Sequence, residues 1–453
     1  MTTDCSSGSA ARLANATEGT RTRRLSLFRD SATVGLGFVV SGLAAYGFLA
    51  LTARTLGPVR YAPLATFWSV TFLVGPGCFS VLEKEVGRQI SSGLALEDSD
   101  YPVVNKVGEL GLLLCLCLLL GTALAGPFLL GKLFDSSWLL FAGLLISMPS
   151  MWLQYMAEGV LAGNSRFAAY SAMPAAEGCG RLLIGALLIW SGVRTAGPLG
   201  IAIALAPAFS TIFVVRTLRS SSHRGPIVNR AHLRKSIGWL LGGILGSSVL
   251  VNVGPIIVKA LADRTQQALA GRFLSGMVLV RVPLFLYNSA AATLLPSLAG
   301  HAASQNWHTF RKNLNHLLIG LGIVALTTTV GAATVGPTIL TIVFGKSYTL
   351  GGPDLAALAG SASALLMATT LSVALMALRK ERALCGVWAA GVLIMAATVA
   401  VIPELLARVE LGLLFGSASS CALMTVIVYP YLVQQLRQPD RARGALANDR
   451  SSV

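Results

Sequence analysis

Apolar stretches of about twenty residues recur along the whole chain, and this recurrence limits the possible folds more than any other feature. A helix of about 20 residues spans the roughly 30 Å hydrocarbon core of a bilayer. Only 12% of the 453 residues are charged, whereas about 25% is usual in soluble proteins. Mean hydropathy is +0.70. The sequence therefore predicts a polytopic membrane protein. Twelve spans can be placed, at about 31–53, 62–82, 107–130, 138–161, 167–191, 197–215, 236–258, 273–297, 314–343, 355–378, 383–402 and 411–435.

The basic residues alternate between the two sides of these spans. The net charge is +16, and 24 of the 35 Lys and Arg fall in the tails and loops that lie inside when the N-terminus is cytoplasmic. Nine fall on the other side. Because basic residues collect on cytoplasmic loops, we expect a multi-pass protein of the bacterial plasma membrane with both termini in the cytoplasm. Most of the charge thus reports topology, and no nucleic-acid partner is expected.

A basic connector divides the spans into two equal sets. Residues 216–235 read RTLRSSSHRGPIVNRAHLRK and follow the sixth span. Equal halves are typical of transporters built from structural repeats. We expect an all-α fold of about 12 transmembrane helices in two six-helix bundles around a central cavity. The predicted segments are a disordered basic tail (1–30), the first bundle (31–215), the linker (216–235), the second bundle (236–435) and a disordered tail (436–453).

Two charged residues lie deep in the fifth span. Glu177 is about ten residues into it, so about 15 Å deep at 1.5 Å per residue. Arg181 follows at i+4, the spacing and order that favour an ion pair on one helix face. Two interpretations stay open: a structural pair that holds the helix against its neighbours, or a pair facing a lumen that a substrate or proton can break. Gln154 and Glu158 form a second i, i+4 polar strip, near the end of the fourth span.

Arg281 is the most informative single residue. It lies in the eighth span beside Pro283, and that span contains no acidic residue. A charge at the bilayer centre costs about 2.5–3.5 kcal/mol on insertion scales, so Arg281 should face a wet cavity or an acid on another helix, for which Glu177 is one candidate. The alternative is that its side chain extends to the outer membrane interface. A fixed positive charge in a cavity suits an anionic substrate such as a lipid pyrophosphate. Asn252, in the seventh span, contributes a hydrogen bond either to a lumen or, more simply, to a neighbouring helix.

Catalytic and cofactor signatures are missing from the sequence. It contains no P-loop, no H-E-x-x-H and no G-x-S-x-G. The seven Cys are scattered and suggest neither a metal site nor a disulfide framework. We therefore expect no enzyme activity, no cofactor and no metal, and a secondary transporter or flippase is the default interpretation.

Four segments carry a resemblance to a known family. They are Leu51–Tyr61 (LTARTLGPVRY), Phe79–Arg88 (FSVLEKEVGR), Gly163–Tyr170 (GNSRFAAY) and Leu279–Leu298 (LVRVPLFLYNSAAATLLPSL). In this order they resemble motifs of the polysaccharide transporter or oligosaccharide flippase family, as seen in actinobacterial members. That family belongs to the multidrug/oligosaccharidyl-lipid/polysaccharide flippase superfamily. Ala62 and Lys84 stand where the family motifs have Gly and Gln.

The resemblance implies two six-helix bundles around a central cavity and the movement of a lipid-linked oligosaccharide or polysaccharide precursor by alternating access. In the related lipid II flippases, arginines on the first and eighth spans line a cationic cavity. Arg281 matches the eighth-span position, and Asn288 falls near a usual Gln. Arg54, at the end of the first span, is a looser match. With Glu177, Arg181 and Asn252, these residues form the predicted substrate cavity.

Other functions stay open beside this one. One is a cation-coupled exporter of drugs or small solutes in the same superfamily, which would need a cavity dominated by carboxylates and aromatics. Others are an integral membrane glycan-polymerising enzyme and a structural scaffold. The expected partners of a flippase are the lipid-linked anionic glycan, membrane lipids, and glycosyltransferases or a polymerase of the same pathway.

Overall fold

Helices make up nearly the whole described chain. The computed structural model describes the backbone of residues 5–96, 101–219, 224–225, 230–284, 304–378 and 380–450, with isolated positions between 287 and 302. Side chains are described between residues 33 and 436, with gaps at 92–105, 213, 218, 220–237, 264, 285–286, 288–297, 299, 303 and 379.

The first half runs from α1 to α7. Its elements are α1 (Cys5–Val74), a π-helical segment (Gly75–Phe79), α2 (Ser80–Leu96), β1 (Tyr101–Pro102), α3 (Val103–Leu124), α4 (Gly126–Phe128) with a π-helical turn (Leu129–Leu133), α5 (Trp138–Gly163), α6 (Phe167–Trp190) and α7 (Ala196–Arg219).

The second half runs from β2 to α14. Its elements are β2 (Arg224–Gly225), α8 (Arg230–Leu261), a 3-10 turn (Arg264–Gln266), α9 (Leu269–Val280), α10 (Trp307–Thr334), α11 (Gly336–Phe344), α12 (Gly352–Ala377), α13 (Glu381–Val401) and α14 (Leu405–Arg450). β1 and β2 form a two-residue antiparallel pair on the face that carries the termini.

Twelve spans are present, as predicted. Among the described residues, nine helices are long and apolar enough to cross a membrane, and two shorter apolar helices, Ala196–Ile212 and Leu269–Val280, add to them. One of the nine, Thr33–Ser91, has 59 residues and would be about 90 Å long if straight. Gly57 breaks it with φ 70° and ψ 164°, a conformation open to glycine, and Pro58 starts the next segment. Thr33–Ser91 therefore supplies the first two spans, and the predicted all-α polytopic fold is confirmed.

The structure extends helices beyond the predicted spans. α1 is helical from Cys5 and α14 continues to Arg450, and Ala, Leu and Arg in both tails favour helix. The expected disorder of residues 1–30 and 436–453 stays a prediction. The predicted loop after residue 82 is helical as far as Leu96. Leu82, Val86 and Ile90 recur every four residues on the buried face of α2, which makes it amphipathic.

Small residues bring α2 and α5 close together. A Cβ at Gly159 would lie 2.8 Å from Glu83 O, and a Cβ at Gly163 would lie 2.7 Å from Ile90 Cβ. This small-x-x-x-small spacing permits close helix approach where lipid replaces water. The contact sets Glu83 of α2 beside the polar face of α5.

Each half contains a short helix that starts with Gly-Pro at the same relative position, and this similarity supports an internal repeat. Gly126-Pro127 opens α4 after the third span, and Gly336-Pro337 opens α11 after the ninth. Phe134 and Phe344 follow at the same distance and are both buried. The chain then turns with positive φ, 47° at Asp135 and 110° at Gly345. Both segments lie on the membrane face opposite the termini.

Candidate functional site

A polar network lies inside the first half, where α5 and α6 pack together. Glu177 forms an ion pair with Arg181 of the same helix. Gln154 Nε2 donates to Glu177 Oε2 at 3.0 Å and to Glu158 Oε1 at 2.8 Å. The side chains of Arg181 and Glu177 are 3% and 13% exposed. Because charge in the apolar interior needs a partner, the two i, i+4 pairs are held as one network.

Two aromatic rings of the second span cover the Arg181 guanidinium. Its Cζ lies 4.9 Å from the Trp68 ring centroid and 5.3 Å from that of Phe72. The two rings are stacked, with centroids 4.3 Å apart. Cation–π attraction strengthens where water is excluded. Arg181 Nε is buried with no hydrogen-bond partner in the described part of the chain, so the guanidinium keeps one donor free.

The network reaches α2 through Tyr170. Its hydroxyl donates to Glu83 Oε1 at 2.7 Å. Glu83, Glu158 and Glu177 all interact electrostatically with the Tyr155 phenol, so the three carboxylates belong to one group of interacting charges. Three carboxylates outnumber the two nearby basic groups, the Arg181 guanidinium and the Lys84 ammonium, so the cluster is negative when all are ionised and can take up a proton or a cation. Within the described residues, no group of three His, Cys, Asp or Glu is placed to hold a metal ion.

Sequence reasoning did not single out Glu83, although the signal was available. Glu83 belongs to the segment Phe79–Arg88 and Tyr170 to the segment Gly163–Tyr170, two of the four that carry the family resemblance. Their hydrogen bond brings those segments together. Trp68 and Phe72 were missed as well; their i, i+4 spacing on an apolar span is the signal that could have indicated a ring pair.

Arg281 lies at a break in the eighth span. α9 ends at Val280, Arg281 has φ −95° and ψ 4°, and Pro283 follows. The 12 residues of α9 are about 18 Å long, which places the break near mid-membrane. Arg281 is 8% exposed and interacts electrostatically with Tyr46 of the first span. Among the side chains described, no carboxylate forms an ion pair with it.

Glu177 does not serve as the partner of Arg281. Its two carboxylate oxygens bind Arg181 and Gln154 instead. Arg181, at i+4 on the same helix, is closer to Glu177 than Arg281 of the other half is. The structure thus separates two sites, the carboxylate network of the first half and the electrostatic interaction of Arg281 with Tyr46 of the first span.

Asn252 lies where α8 meets the second span. Its Nδ2 donates to Phe72 O at 3.2 Å, and Ser248 Oγ donates to Leu73 O at 3.0 Å. Pro76 has no N–H to give to the carbonyl four residues earlier, that of Phe72. Asn252 supplies a donor in its place, with Ser248 Oγ at 3.4 Å from the same oxygen, and joins the two halves near mid-membrane.

Arg54 lies apart from these residues. It is exposed and donates to Val343 O at 2.7 Å and to Ile342 O, at the end of α11. Tyr348 Oη donates to Ala53 O at 2.8 Å beside it. Arg54 therefore joins the halves on the face opposite the termini. Asn288 lies outside the described residues.

A second contact on the same face mirrors that of Arg54. Lys259, at the end of the seventh span, pairs with Asp135, which follows α4. Each half thus contributes the basic residue at the end of its own first span, Arg54 or Lys259. That residue binds the end of the short helical segment, α11 or α4, of the other half. Neither contact was predicted from sequence, because each depends on how the halves pack.

Comparison with known proteins supports the fold. No family model matches the chain. Two uncharacterized proteins of Mycobacterium tuberculosis strain H37Rv are similar in sequence. One is 26% identical over 364 residues, 78% of this chain and 81% of the relative. The other is 24% identical over 400 residues, 86% of this chain and 90% of the relative.

Solved MATE transporters share the architecture. A multidrug resistance MATE family transporter of the MOP superfamily has TM-score 0.65 in its outward-facing conformation, with 11% identity, 90% of this chain and 96% of that chain covered. An inward-facing conformation scores 0.58, with 14% identity and 90% and 95% covered. A mutant of the Vibrio cholerae MATE transporter VcmN scores 0.64, with 17% identity and 91% and 98% covered. At these identities the likeness shows the fold, and it extends over nearly the whole chain.

Proposed function

We propose that this protein is a membrane flippase that moves a lipid-linked, anionic oligosaccharide or polysaccharide precursor across the plasma membrane by alternating access. The observation that carries the proposal is Arg281, buried at the break of the eighth span with no carboxylate paired to it among the described side chains. A broken helix near mid-membrane is where transporters of repeated architecture bind substrate.

The chemistry of Arg281 suits a diphosphate. Its guanidinium is planar, stays charged and binds phosphate oxygens through two parallel N–H donors. Tyr46, on the first span, adds a phenol that can donate to the same oxygens. The lipid chain of the cargo would stay in the bilayer while the sugar and diphosphate pass between the halves.

The carboxylate network supports a coupling role within the same cycle. Glu177 pairs with the Arg181 guanidinium and shares the Gln154 amide with Glu158. Glu83 accepts a hydrogen bond from Tyr170. Uptake of a proton or cation by this cluster would change the hydrogen bonds of Gln154 and Tyr170, which tie α2, α5 and α6 together. Such a change gives one half two arrangements, as alternating access requires.

A second candidate is a cation-coupled exporter of small amphipathic compounds. The observation that favours it is the same network, because carboxylates beside stacked aromatic rings suit an organic cation. The shared fold supports this candidate too, since the solved structures similar to this chain include a multidrug resistance MATE family transporter.

Transport by the full-length protein in proteoliposomes separates the two candidates. The cargoes are a fluorescent polyprenyl-diphosphate oligosaccharide, followed by its exposure to a membrane-impermeant quencher, and ethidium, followed under an imposed pH or sodium gradient. The flippase proposal predicts that the lipid-linked cargo crosses faster than in protein-free liposomes while ethidium does not move. Ethidium export without movement of the lipid-linked cargo would favour the exporter, and movement of neither would overturn both.

A further inference from the structure

A groove on the outside of the second half combines a basic rim with an apolar floor. The rim surrounds a cavity of about 390 Å³. This cavity is lined by four residues of α10, His308, Arg311, Lys312 and His316, and has Asn315 and Ile319 at its inner end. A second cavity of about 500 Å³ shares Asn315 and Ile319 and continues between α10, α12 and α14. The two together form one slot, here called the α10 groove.

The basic residues of the groove lie on one helix face. Residues 308, 311, 312, 315, 316 and 319 recur at i, i+3, i+4, i+7, i+8 and i+11, which is a single stripe of an α-helix. Among the described side chains that line the two cavities there is no Asp or Glu. The rim therefore carries uncompensated positive charge.

Aromatic residues place the rim at the membrane surface. Trp307 and Tyr431 meet edge to face with centroids 6.2 Å apart, and Lys380 Nζ lies 3.7 Å from the Tyr431 centroid. Trp and Tyr concentrate at the membrane–water interface. Arg311 lies about 6 Å further along α10 than Trp307, and from this depth its long side chain can extend back to the membrane surface, where the lipid phosphates lie.

The floor of the groove is apolar and extends into the membrane. It is lined by Leu318, Met367 and Leu371, together with Cys421 and Thr425. Tyr429 donates from its hydroxyl to Asn315 Oδ1 at 2.5 Å, so both N–H donors of the Asn315 amide stay available where the two cavities join. Charge at the rim, donors at the junction and hydrocarbon below match the order of groups in a phospholipid.

The architecture alone does not require this basic face. When the sequences of the two halves are aligned with an offset of 210 residues, Gly126-Pro127 falls on Gly336-Pro337 and α3 is paired with α10. At the positions of Arg311, Lys312 and Ile319 the first half has Tyr101, Pro102 and Glu109. In the 18-residue apolar stretch of α10, only 6% of the residues are buried inside the protein, whereas 72% are buried in that of α12. The counterpart keeps one basic residue of the stripe, Lys106, at the position of His316. α10 thus faces the bilayer with a basic stripe that its counterpart carries only in part.

We propose that the α10 groove is a binding site for one anionic phospholipid from the leaflet on the side of the chain termini. The phosphate lies between Arg311 and Lys312 and the acyl chains lie along the α12 and α14 side of the slot. The site is independent of the proposed transport function, because all of its residues belong to the outer face of the second half and none contacts Arg281.

Native mass spectrometry of the delipidated full-length protein tests the site. Titration with dioleoyl phosphatidylglycerol should give one adduct per chain, at least tenfold more tightly than phosphatidylcholine. The R311Q/K312Q variant should lose this preference, since each basic residue near the membrane surface contributes several-fold to anionic-lipid affinity. The matched control R216Q/R219Q removes two exposed arginines at the end of α7 on the same face, and it should stay within twofold of wild type.

Two further arms define the ligand and guard against misfolding. M367W fills the apolar slot without changing charge, and it should weaken dioleoyl phosphatidylglycerol binding by at least fivefold. Glycerol 3-phosphate at millimolar concentration should not displace the lipid; complete displacement would make the groove a soluble-phosphate site. Equal binding of the two lipids by wild type, or unchanged selectivity in a folded R311Q/K312Q variant, would overturn the proposal. If R311Q/K312Q does not fold, the M367W arm decides.

Discussion

Lys259 Nζ lies 2.8 Å from Asp135 Oδ1, and this ion pair joins the two halves of the protein on the face opposite the termini. The Lys259 side chain is 3% exposed and that of Asp135 is 45% exposed. Asp135 has φ 47° and is followed by Ser136 with φ 61°, so the loop holds two consecutive residues in the left-handed region to present this carboxylate. Together with the contact of Arg54 to α11, the pair closes this face.

The unequal burial of the pair predicts unequal mutants. D135N leaves a buried ammonium without its counter-charge and should destabilise the protein by about 1–2 kcal/mol, a value reduced for the exposure of Asp135. K259M removes the buried charge itself and should cost less. The double variant should resemble K259M. Thermal unfolding in detergent, followed by tryptophan fluorescence, measures all three, and equal losses in D135N and K259M would contradict the burial argument.

The Glu177–Arg181 contact predicts coupled mutants. E177Q leaves Arg181 with only the Trp68 and Phe72 rings, and R181M leaves Glu177 with Gln154. Each single change should lower stability, because each leaves a buried charge without its partner. E177Q/R181M should be more stable than the sum of the single effects predicts, by about 1 kcal/mol or more.

The same three variants distinguish the two interpretations of the pair. A structural pair predicts that transport recovers with stability in E177Q/R181M. A pair that takes part in coupling predicts that stability recovers while transport stays low. Strict additivity of the unfolding free energies would show that the two side chains do not interact in solution.

Replacing Pro76 should partly compensate for the stability that is lost when Asn252 is replaced. N252L removes the shorter of two side-chain hydrogen bonds to Phe72 O and leaves the 3.4 Å contact of Ser248 Oγ, so it should cost about 1 kcal/mol. P76A restores a backbone N–H four residues after Phe72 and should recover part of that loss in the P76A/N252L variant. Thermal unfolding of the four proteins checks this, with S247A on the same helix as a control; no recovery in the double variant would mean that Pro76 is not the cause of the unsatisfied carbonyl.

The spans and the Glu177–Arg181 contact were predictable because both depend on local sequence. Hydropathy marks a membrane helix, and i, i+4 spacing places two side chains on one face. The amphipathic pattern of Leu82, Val86 and Ile90 could have extended the second span into α2, and with it Glu83 would have joined the candidate site. A loop was predicted there because the charged residues between them lower the mean hydropathy.

Contacts between distant segments could not be predicted in this way. Tyr170 and Glu83 are 87 residues apart, and Lys259 and Asp135 are 124 apart. Their pairing depends on how helices approach, as at Gly159 and Gly163, and on the packing of one half against the other. The resemblance named the segments that hold Tyr170 and Glu83, but their contact required the fold.

A comparison of cargo charge in wild type and R281Q decides whether Arg281 binds an anionic cargo. The full-length proteins are reconstituted in liposomes with two fluorescent lipids of the same chain and sugar, one linked through a diphosphate and one through a neutral linker. R194Q, in an exposed loop, serves as the control for loss of an arginine. We expect R281Q to move the diphosphate cargo at least tenfold more slowly than wild type, since a charge-assisted hydrogen bond contributes about 1.5–3 kcal/mol. We expect an unchanged rate for the neutral cargo. Wild-type movement of the diphosphate cargo by a correctly inserted R281Q protein would show that Arg281 does not bind the cargo.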